Sequence, residues 1–333
     1  MAVEWDLVVN PSKEVAAELV ARIDVGTVDD LHTITKRHLM VARVDAGHAF
    51  PRCEVHYDTY LFGQLQLPTA LDDGLTDFLE LTFVATFDNI WSVLRFPGVE
   101  TELVTRFRDR LSNAMSKRSS AESAGDILGR IITIVVGELE DFFAATDSEL
   151  DGLEARIRAV GNDRHLSRSL KDVVPEIDES AADLRREIAS LGTVVDQLDV
   201  VVHEIATNAT DLKSTDVAGT EIELFGPSTE IYLQDAKFRT KRLRKVQDEQ
   251  IERTAIIKDR ITQLRGADEV TSGRFMGAIA SIMLFPTFVV GMYGMNFDTM
   301  PELHMAAGYL TVIGIIVLST IFQVWIFRRR RWL

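Results

Sequence analysis

Two long stretches near the end of the chain contain no charged side chain. They cover residues 275–297 and 305–327, and each is 23 residues long. An α-helix of that length crosses a hydrocarbon layer of roughly 30 Å. A helix that is apolar on every side over this distance is typical of a membrane span and not of a soluble core. The pattern therefore predicts two transmembrane helices, joined by a short loop at 298–304.

Basic residues flank these two spans unevenly. Arg265 and Arg274 precede the first span, four arginines at 328–331 follow the second, and the loop between the spans has no Lys or Arg. Because basic flanks stay on the cytoplasmic side, we expect both termini in the cytoplasm and the loop outside. The N-terminus has no basic segment followed by an apolar run, so no secretory signal is predicted. We expect a multi-pass protein of the cell (inner) membrane.

The first 100 residues contain short apolar runs bounded by Asp, Gly and Pro, a pattern that is typical of strands. Strands are expected at 39–44, 56–65 and 79–87, and helices at 12–22 and 28–38. After Glu100 the apolar residues follow helical spacing, notably at 127–160 and 181–211, which predicts an amphipathic hairpin of long helices.

A single very long helix is expected after this hairpin. No proline occurs between Pro227 and Pro286, so we predict one helix from Thr229 to Met292, roughly 95 Å long. Such a helix needs neighbours along its length, which points to an oligomer. The expected segments are a cytoplasmic α/β domain (1–120), an acidic helical hairpin forming a funnel (121–228), a stalk helix (229–274), the first transmembrane helix (275–297), the outer loop (298–304), the second transmembrane helix (305–327) and a basic cytoplasmic tail (328–333).

Composition narrows the possible functions. The net charge of −15 disfavours nucleic-acid binding, which needs clustered Lys and Arg. The single cysteine, Cys53, excludes a disulfide framework within the chain; Cys53 and His56 are spaced as half of a metal site, but no second half is apparent. The sequence has no phosphate-binding loop of the kind found in pumps and no motif of an enzyme or organic cofactor site.

Two further patterns concern the long helix. A basic block at 237–245 is expected to pair with the acidic hairpin; the alternative is a ring of positive charge at an inner pore mouth. Counting back from Thr287 in sevens gives Ala280, Gly273, Gly266 and Asp259, which lie close to one helix face. Small or polar residues on one face suit a hydrated lumen, or close packing between membrane helices.

The end of the first predicted span carries a family resemblance. Tyr293-Gly294-Met295-Asn296-Phe297, followed by Met300-Pro301-Glu302-Leu303, resembles the signature of the CorA-type magnesium transporters. The basic run before Trp332-Leu333 is also similar to that family, as is the segment from Tyr57 to Phe62. The resemblance implies a homopentameric membrane channel with a cytoplasmic funnel, five first-span helices around the pore and five second-span helices outside. It also implies passive uptake of Mg2+, often with Co2+ or Ni2+ tolerated, and closure by cytoplasmic Mg2+.

The resemblance also suggests roles for individual residues. The selectivity filter would comprise Gly294, Met295 and Asn296. The resemblance and the small-residue pattern together give the expected pore-lining positions, namely Gly291, Thr287, Leu284, Ala280, Met276, Gly273 and Asp259. Asp298 and Glu302 would attract cations to the outer mouth, or would be ordinary loop acids. Asp235 aligns with a regulatory metal position between subunits, or is an ordinary solvated acid.

Magnesium chemistry fits a neutral oxygen ring. Mg2+ prefers octahedral oxygen coordination and gives up water slowly. The Asn296 carboxamides of several subunits could hold the ion by its water ligands, weakly enough to release it. Two alternatives stay open, a Zn2+ transporter of the same superfamily and a membrane-anchored helical scaffold or sensor.

Overall fold

The computed structural model describes residues 3–27, 33–40, 52–56, 60–70, 76–96, 100–117, 119, 122–161, 173–208, 213–215, 221–295, 308–330 and 332. The chain forms two units. The first comprises Met1–Ala155 with Glu179–Ile256, and the second comprises Arg156–Asp178 with Ile257–Leu333.

A five-stranded sheet forms one part of the first unit. Its strands, in the spatial order β1-β5-β4-β3-β2, are β1 (Glu4–Val9), β5 (Asn89–Arg95), β4 (Thr76–Ala85), β3 (Tyr60–Ala70) and β2 (Arg52–His56). Strands β2 to β5 pair antiparallel in sequence order, whereas β1 lies parallel to β5. Helices α1 (Lys13–Thr27) and α2 (Thr33–Met40) follow β1 along the chain. They contribute Leu19, Ile23 and Leu39 to a buried cluster with strand residues such as Phe62 and Val93.

A buried ion pair lies inside this α/β layer. The guanidinium of Arg95, which is fully buried, donates to Glu80 Oε1 at 3.1 Å and to Thr82 Oγ1 at 3.3 Å. It also donates to the main-chain oxygen of Leu39 at 2.7 Å, which fixes the end of α2 to the sheet. Burial lowers the pKa of Arg95, and the charge of Glu80 opposes that effect.

Four long helices follow the sheet: α3 (Glu102–Ser116), α4 (Ala124–Gly161), α5 (Val174–Asn208) and α6 (Pro227–Gly294). A short hairpin of β6 (Lys213–Thr215) and β7 (Glu221–Glu223) lies between α5 and α6. Apolar residues at helical spacing are buried on α4 and α5, including Ile131, Val135, Leu139, Leu184, Ile188 and Leu191. This burial explains why a hairpin of acidic helices is stable in the first unit.

Asp126 joins the starts of α4 and α6. Its main-chain N–H donates to Ser123 Oγ, and its carboxylate accepts from the hydroxyls of Ser228 (2.6 Å) and Thr229 (2.9 Å). Partial burial raises the pKa of Asp126, but the hydrogen bonds from Ser228, Ser123 and Thr229 outweigh that effect and hold the pKa below its usual value. Pro227 begins α6, at a helix position where a missing N–H costs nothing.

The second unit contains the end of α6 and helix α7 (Gly308–Arg329). Both helices are long and apolar enough to cross a membrane. Pro286 lies inside α6 without ending it, and its missing N–H leaves the carbonyl of Ile282 without the usual helical donor.

Several sequence predictions can be compared with these elements. The continuous helix is confirmed and extends two residues further at each end, from Pro227 to Gly294. The helical hairpin is confirmed as α4 and α5. The strand predicted at 39–44 is wrong at Leu39 and Met40, which end α2: Leu39 is buried as a helix residue in the cluster beside the sheet, and Met40 is exposed. Residues 41–44 lie outside the described residues.

The remaining strand predictions are right only in part. The strand predicted at 56–65 corresponds to the last residue of β2 and the first half of β3, and residues 57–59 lie outside the described residues. The strand predicted at 79–87 is β4, which ends earlier, at Ala85. Strands β1 and β5 were not predicted; each is short, and they pair with each other across about 80 residues of sequence. Thr86 N donates to Asn89 O and turns the chain into β5.

Candidate functional site

Seven positions of α6 form one exposed line along its second half. We call Gly273, Met276, Ala280, Leu284, Thr287, Gly291 and Gly294 the open stripe. With 3.6 residues in each turn, they fall within an arc of about 80°. All seven are exposed; Met276 and Leu284 are 67% and 70% exposed. The positions predicted from the sequence therefore share one face of a real helix.

The opposite face of the same helix is covered from Ala278 onward. Its members are Ala278, Ile282, Phe285, Val289 and Tyr293, which are buried or half-buried. Ala278 is 0% exposed and Val289 is 8% exposed. The centre of this face lies about 180° from the centre of the open stripe. Within one chain, α6 thus has a packed face and, opposite it, a face that other parts of the chain leave uncovered.

The glycines of the open stripe are not required by packing within the chain. Among the described residues, no atom outside the local helix lies within 4 Å of the position that a Cβ would take at Gly273, Gly291 or Gly294. By contrast, a Cβ at Gly125 in the first unit would lie 2.3 Å from the carbonyl oxygen of Leu224. Packing among the described residues of one chain therefore does not require glycine at these three positions.

Thr287 provides the hydroxyl of the open stripe. Its Oγ1 donates to the main-chain oxygen of Met283 at 2.8 Å, so the proton is used within the helix and the oxygen can still accept. An acceptor oxygen on an otherwise small or apolar face can hydrogen-bond to water. The side chain is exposed, as this role requires.

The end of α6 positions part of the expected filter. The helix ends at Gly294, where Met295 N donates to Met292 O at 3.3 Å, and the Met295 side chain is 58% exposed. Asn296, Asp298 and Glu302 lie outside the described residues. The structure thus gives the helix end from which Asn296 follows, but not the Asn296 side chain itself.

Two acids of α6 were also expected to take part. Asp259 is exposed and continues the seven-residue spacing toward the helix start. Asp235 is about half exposed, and its Oδ2 lies 3.6 Å from Arg239 Nη1 on the same helix. In the part of the chain that the structure describes, no three His, Cys, Asp or Glu side chains form a group that could hold a metal ion. Neither acid therefore belongs to a group of this kind among the residues that the structure describes.

The basic block of α6 pairs with the acidic hairpin. Arg239 makes a two-pronged contact with Glu140 of α4, at 3.0 and 2.6 Å. Arg244 contacts Asp196 of α5 at 2.7 Å. The hydrogen bonds that Arg239 donates to Glu140 raise the pKa of Arg239. The expected pairing is confirmed for these two arginines, so their charge is largely neutralised within the chain.

Arg253 is a contact that the sequence analysis missed. Its guanidinium binds three carboxylates of α4, those of Asp147 (2.6 Å), Asp151 (2.5 Å) and Glu154 (2.7 Å). Hydrogen bonding to Glu154, followed by Asp151, raises its pKa. The sequence did show that these three acids share one helix face, because they are spaced four and three residues apart. Which arginine would meet them, about 100 residues later, was not visible.

Comparisons with known proteins agree with this architecture. The CorA-like Mg2+ transporter protein family matches residues 37–329. The magnesium transport protein CorA of Pasteurella multocida is 40% identical over 60 residues, which are 18% of this chain and 19% of that relative. The cobalt/magnesium transport protein CorA of Thermotoga maritima is 40% identical over 55 residues, 16% of each chain. The aligned segments thus span less than a fifth of these curated relatives.

Solved structures match over much more of the chain. The CorA magnesium transporter of Methanocaldococcus jannaschii has a TM-score of 0.73 at 17% identity and covers 99% of this chain and 91% of that one. The full-length CmaX protein has a TM-score of 0.64 at 16% identity, with 98% and 88% covered. The cytoplasmic domain of ZntB from Vibrio parahaemolyticus has a TM-score of 0.53 at 13% identity, with 79% and 88% covered. These likenesses establish the fold, and the family match over residues 37–329 shows that the chain belongs to the CorA-like Mg2+ transporter protein family.

Proposed function

We propose that this chain is one subunit of a homopentameric channel that carries hydrated Mg2+ into the cell. The main support for the proposal is the open stripe. It lies opposite the covered face of α6 and ends at Gly294, next to Met295. In the proposed pentamer the stripes of five subunits surround an axis, and their small residues leave room for an ion with its water shell. The relatives named above are magnesium or cobalt/magnesium transport proteins.

The proposed filter is a ring of Asn296 side chains. Carboxamide oxygens accept hydrogen bonds from the water ligands of Mg2+, so the ion enters without losing its shell. A neutral ring binds less tightly than a carboxylate ring and allows release. Thr287 adds a second ring of oxygens, and Leu284 and Met276 form apolar rings that can exclude water when the pore is closed.

The driving force is the membrane potential. Two charges that move inward through about 100 mV release roughly 4.6 kcal/mol, so uptake needs no ATP. In the proposed orientation, with both termini in the cytoplasm, Asp298 and Glu302 lie at the outer mouth, where fivefold repetition raises the local cation concentration.

The proposed closure signal is cytoplasmic Mg2+. Five chains at −15 each carry −75 in total. Carboxylates that meet at subunit boundaries repel, and bound Mg2+ removes that repulsion. Asp235 is a candidate ligand because it is half exposed and, among the described residues, forms a single ion pair, the 3.6 Å contact with Arg239. Millimolar Mg2+ is expected to protect the full-length protein from proteolysis, and Asp235→Asn is expected to weaken that protection. Equal cleavage with and without Mg2+ would contradict this closure mechanism.

Uptake into liposomes tests the transport proposal. Purified protein is reconstituted, and entry of Mg2+, Co2+ and Zn2+ is compared at an imposed inside-negative potential. Asn296→Ala is expected to abolish most Mg2+ flux, because the ion loses the acceptors that replace bulk water. Asn113→Ala is a matched control, since it makes the same chemical change on the exposed surface of α3. Unchanged flux in Asn296→Ala, or a monomer in both detergent and lipid, would overturn the proposal.

A Zn2+ transporter is the second candidate. The likeness to the cytoplasmic domain of ZntB favours it over unrelated classes. The order of the three ions in the same uptake assay separates the two candidates. A membrane-anchored scaffold or sensor would instead give no flux for any of the ions.

A further inference from the structure

The cytoplasmic end of α7 has an ordered cluster of arginines and aromatic rings. We call Phe322, Trp325, Phe327, Arg328, Arg329, Arg330 and Trp332 the arginine–aromatic cluster. The guanidinium of Arg329 lies over the ring of Trp325, 5.5 Å from its centre, and Phe322 stacks on the same tryptophan at 6.2 Å. Trp332 stacks on Phe327 at 5.7 Å, and its main-chain N–H donates to the Phe327 oxygen at 2.9 Å. Trp332 is thereby held against the end of the helix.

The arginines of this cluster have no acidic partner. Helix α7 contains no Asp or Glu, and among the described residues no carboxylate forms an ion pair with Arg328, Arg329 or Arg330. Elsewhere in the second unit Arg265 pairs with Asp178 at 3.0 Å. Three adjacent cations without an acidic partner in the described part of the chain are available to bind anions from outside it.

The cluster also has apolar surface that remains open. Phe322 and Trp325 are 59% and 54% exposed. Tryptophan prefers the level of the lipid headgroups, where its ring is in apolar surroundings and its N–H reaches water. An arginine that stacks on such a ring is held at the same level, and its planar donor fork matches the two oxygens of a phosphodiester.

We propose that the arginine–aromatic cluster binds the phosphodiester headgroups of anionic phospholipids in the cytoplasmic leaflet. The arginines bind the phosphate oxygens, and Phe322 and Trp325 contact the upper acyl chains. A soluble phosphate would satisfy the arginines but would leave these exposed rings unmatched, so a lipid fits both halves of the cluster. The inference rests on the membrane insertion assumed in the proposed function.

Lipid retention in native mass spectrometry tests this inference. The full-length protein is released from bilayers of phosphatidylglycerol and phosphatidylcholine in equal amounts, and the lipids kept by each oligomer are counted. The wild type is expected to keep phosphatidylglycerol preferentially. The variant R328Q/R329Q/R330Q is expected to lose that preference, by about fivefold for each arginine removed. Inorganic phosphate, added at millimolar concentration, is expected not to displace the lipid.

Two further variants exclude an indirect effect of lost charge. R328K/R329K/R330K keeps the positive charge that directs insertion but lacks the planar guanidinium groups. Trp325→Leu keeps all three arginines but removes the aromatic ring under Arg329. Both variants are expected to retain less phosphatidylglycerol than the wild type. The charge-matched control is K241Q/R242Q/K258Q, at exposed positions of α6, which is expected to behave as wild type.

The possible failures can be told apart. If all variants keep phosphatidylglycerol as the wild type does, or if free phosphate displaces it, the lipid site is wrong. If alkaline carbonate extracts the wild-type protein from membranes, the assumed insertion is wrong, and the transport proposal fails with it.

Discussion

Two glycines of the first unit, Gly125 and Gly129, differ from the glycines of the open stripe in the second unit. At these two positions glycine allows close contacts: a Cβ would lie 2.3 Å from the Leu224 carbonyl oxygen at Gly125 and 2.7 Å from Tyr232 Cβ at Gly129. In the second unit the glycines of the open stripe face empty space. Charges differ in the same way, because Arg239, Arg244 and Arg253 are paired in the first unit, whereas Arg328, Arg329 and Arg330 lack acidic partners among the described residues.

This difference distinguishes side chains whose partners lie within the chain from side chains whose proposed partners lie outside it. The first unit provides the close contacts at Gly125 and Gly129 and the carboxylate partners of Arg239, Arg244 and Arg253. The second unit leaves an apolar surface, small residues and cations uncovered. Lipid and other copies of the chain are the partners that we propose for those surfaces. Substitutions in the first unit should therefore change stability, and substitutions on the open stripe should change function.

The largest expected effect on stability is at the buried ion pair. Glu80→Leu leaves the Arg95 guanidinium buried without its carboxylate, and we expect a loss of about 3–5 kcal/mol in the free energy of unfolding. Arg95→Leu should cost a similar amount. The double variant should recover much of the loss, because an apolar pair has no charge to desolvate. Chemical unfolding in detergent, followed by tryptophan fluorescence, measures this; a double variant as unstable as the sum of the singles would contradict the interpretation.

A paired glycine experiment tests the comparison directly. Gly125→Ala places a methyl group against the Leu224 carbonyl and should cost about 1–3 kcal/mol of stability. Gly291→Ala places the same group in open space and should leave stability unchanged or slightly raised. In the uptake assay Gly291→Ala should reduce Mg2+ flux if the stripe lines a narrow pore. Equal stability losses at the two positions would mean that the stripe is packed after all.

The smallest expected effect concerns pH. Glu187 of α5 is half-buried, and burial, together with the nearby charge of Glu149, raises its pKa. The folded state therefore binds this proton more tightly than the unfolded state does. The resulting stabilisation is complete below the unfolded-state pKa and is lost as the pH rises through the folded-state pKa.

Glu187→Gln should accordingly stabilise the protein at neutral pH, by a few tenths of a kcal/mol because solvent screens a half-exposed group. The gain should disappear toward pH 4. The pH dependence of the unfolding midpoint measures it. A difference between wild type and variant that stayed constant across this range would exclude titration of Glu187 as its cause.

The features that sequence reasoning found are local ones. The apolar runs predict the two span helices, and the absence of proline predicts α6, because both depend on neighbouring residues. The positions of the open stripe follow from the family resemblance together with the seven-residue spacing of small residues. The Arg95–Glu80 pair, the three carboxylates on Arg253 and the pairing of β1 with β5 depend on residues distant in sequence. Leu39 was assigned to a strand because a short apolar run is compatible with either a strand or a helix. Its burial with the sheet residues distinguishes the two, and this contact depends on residues distant in sequence.

The four tryptophans give the protein built-in spectroscopic reporters. Trp5 and Trp91 belong to the sheet, where Trp5 Nε1 donates to Ser92 Oγ and Trp91 is 6% exposed. Trp325 and Trp332 are at the end of α7. Replacing one pair by phenylalanine leaves emission from the other pair alone. Brominated lipids should quench only the α7 pair, so the same molecule can report unfolding of its aqueous part and immersion of its final helix as independent signals.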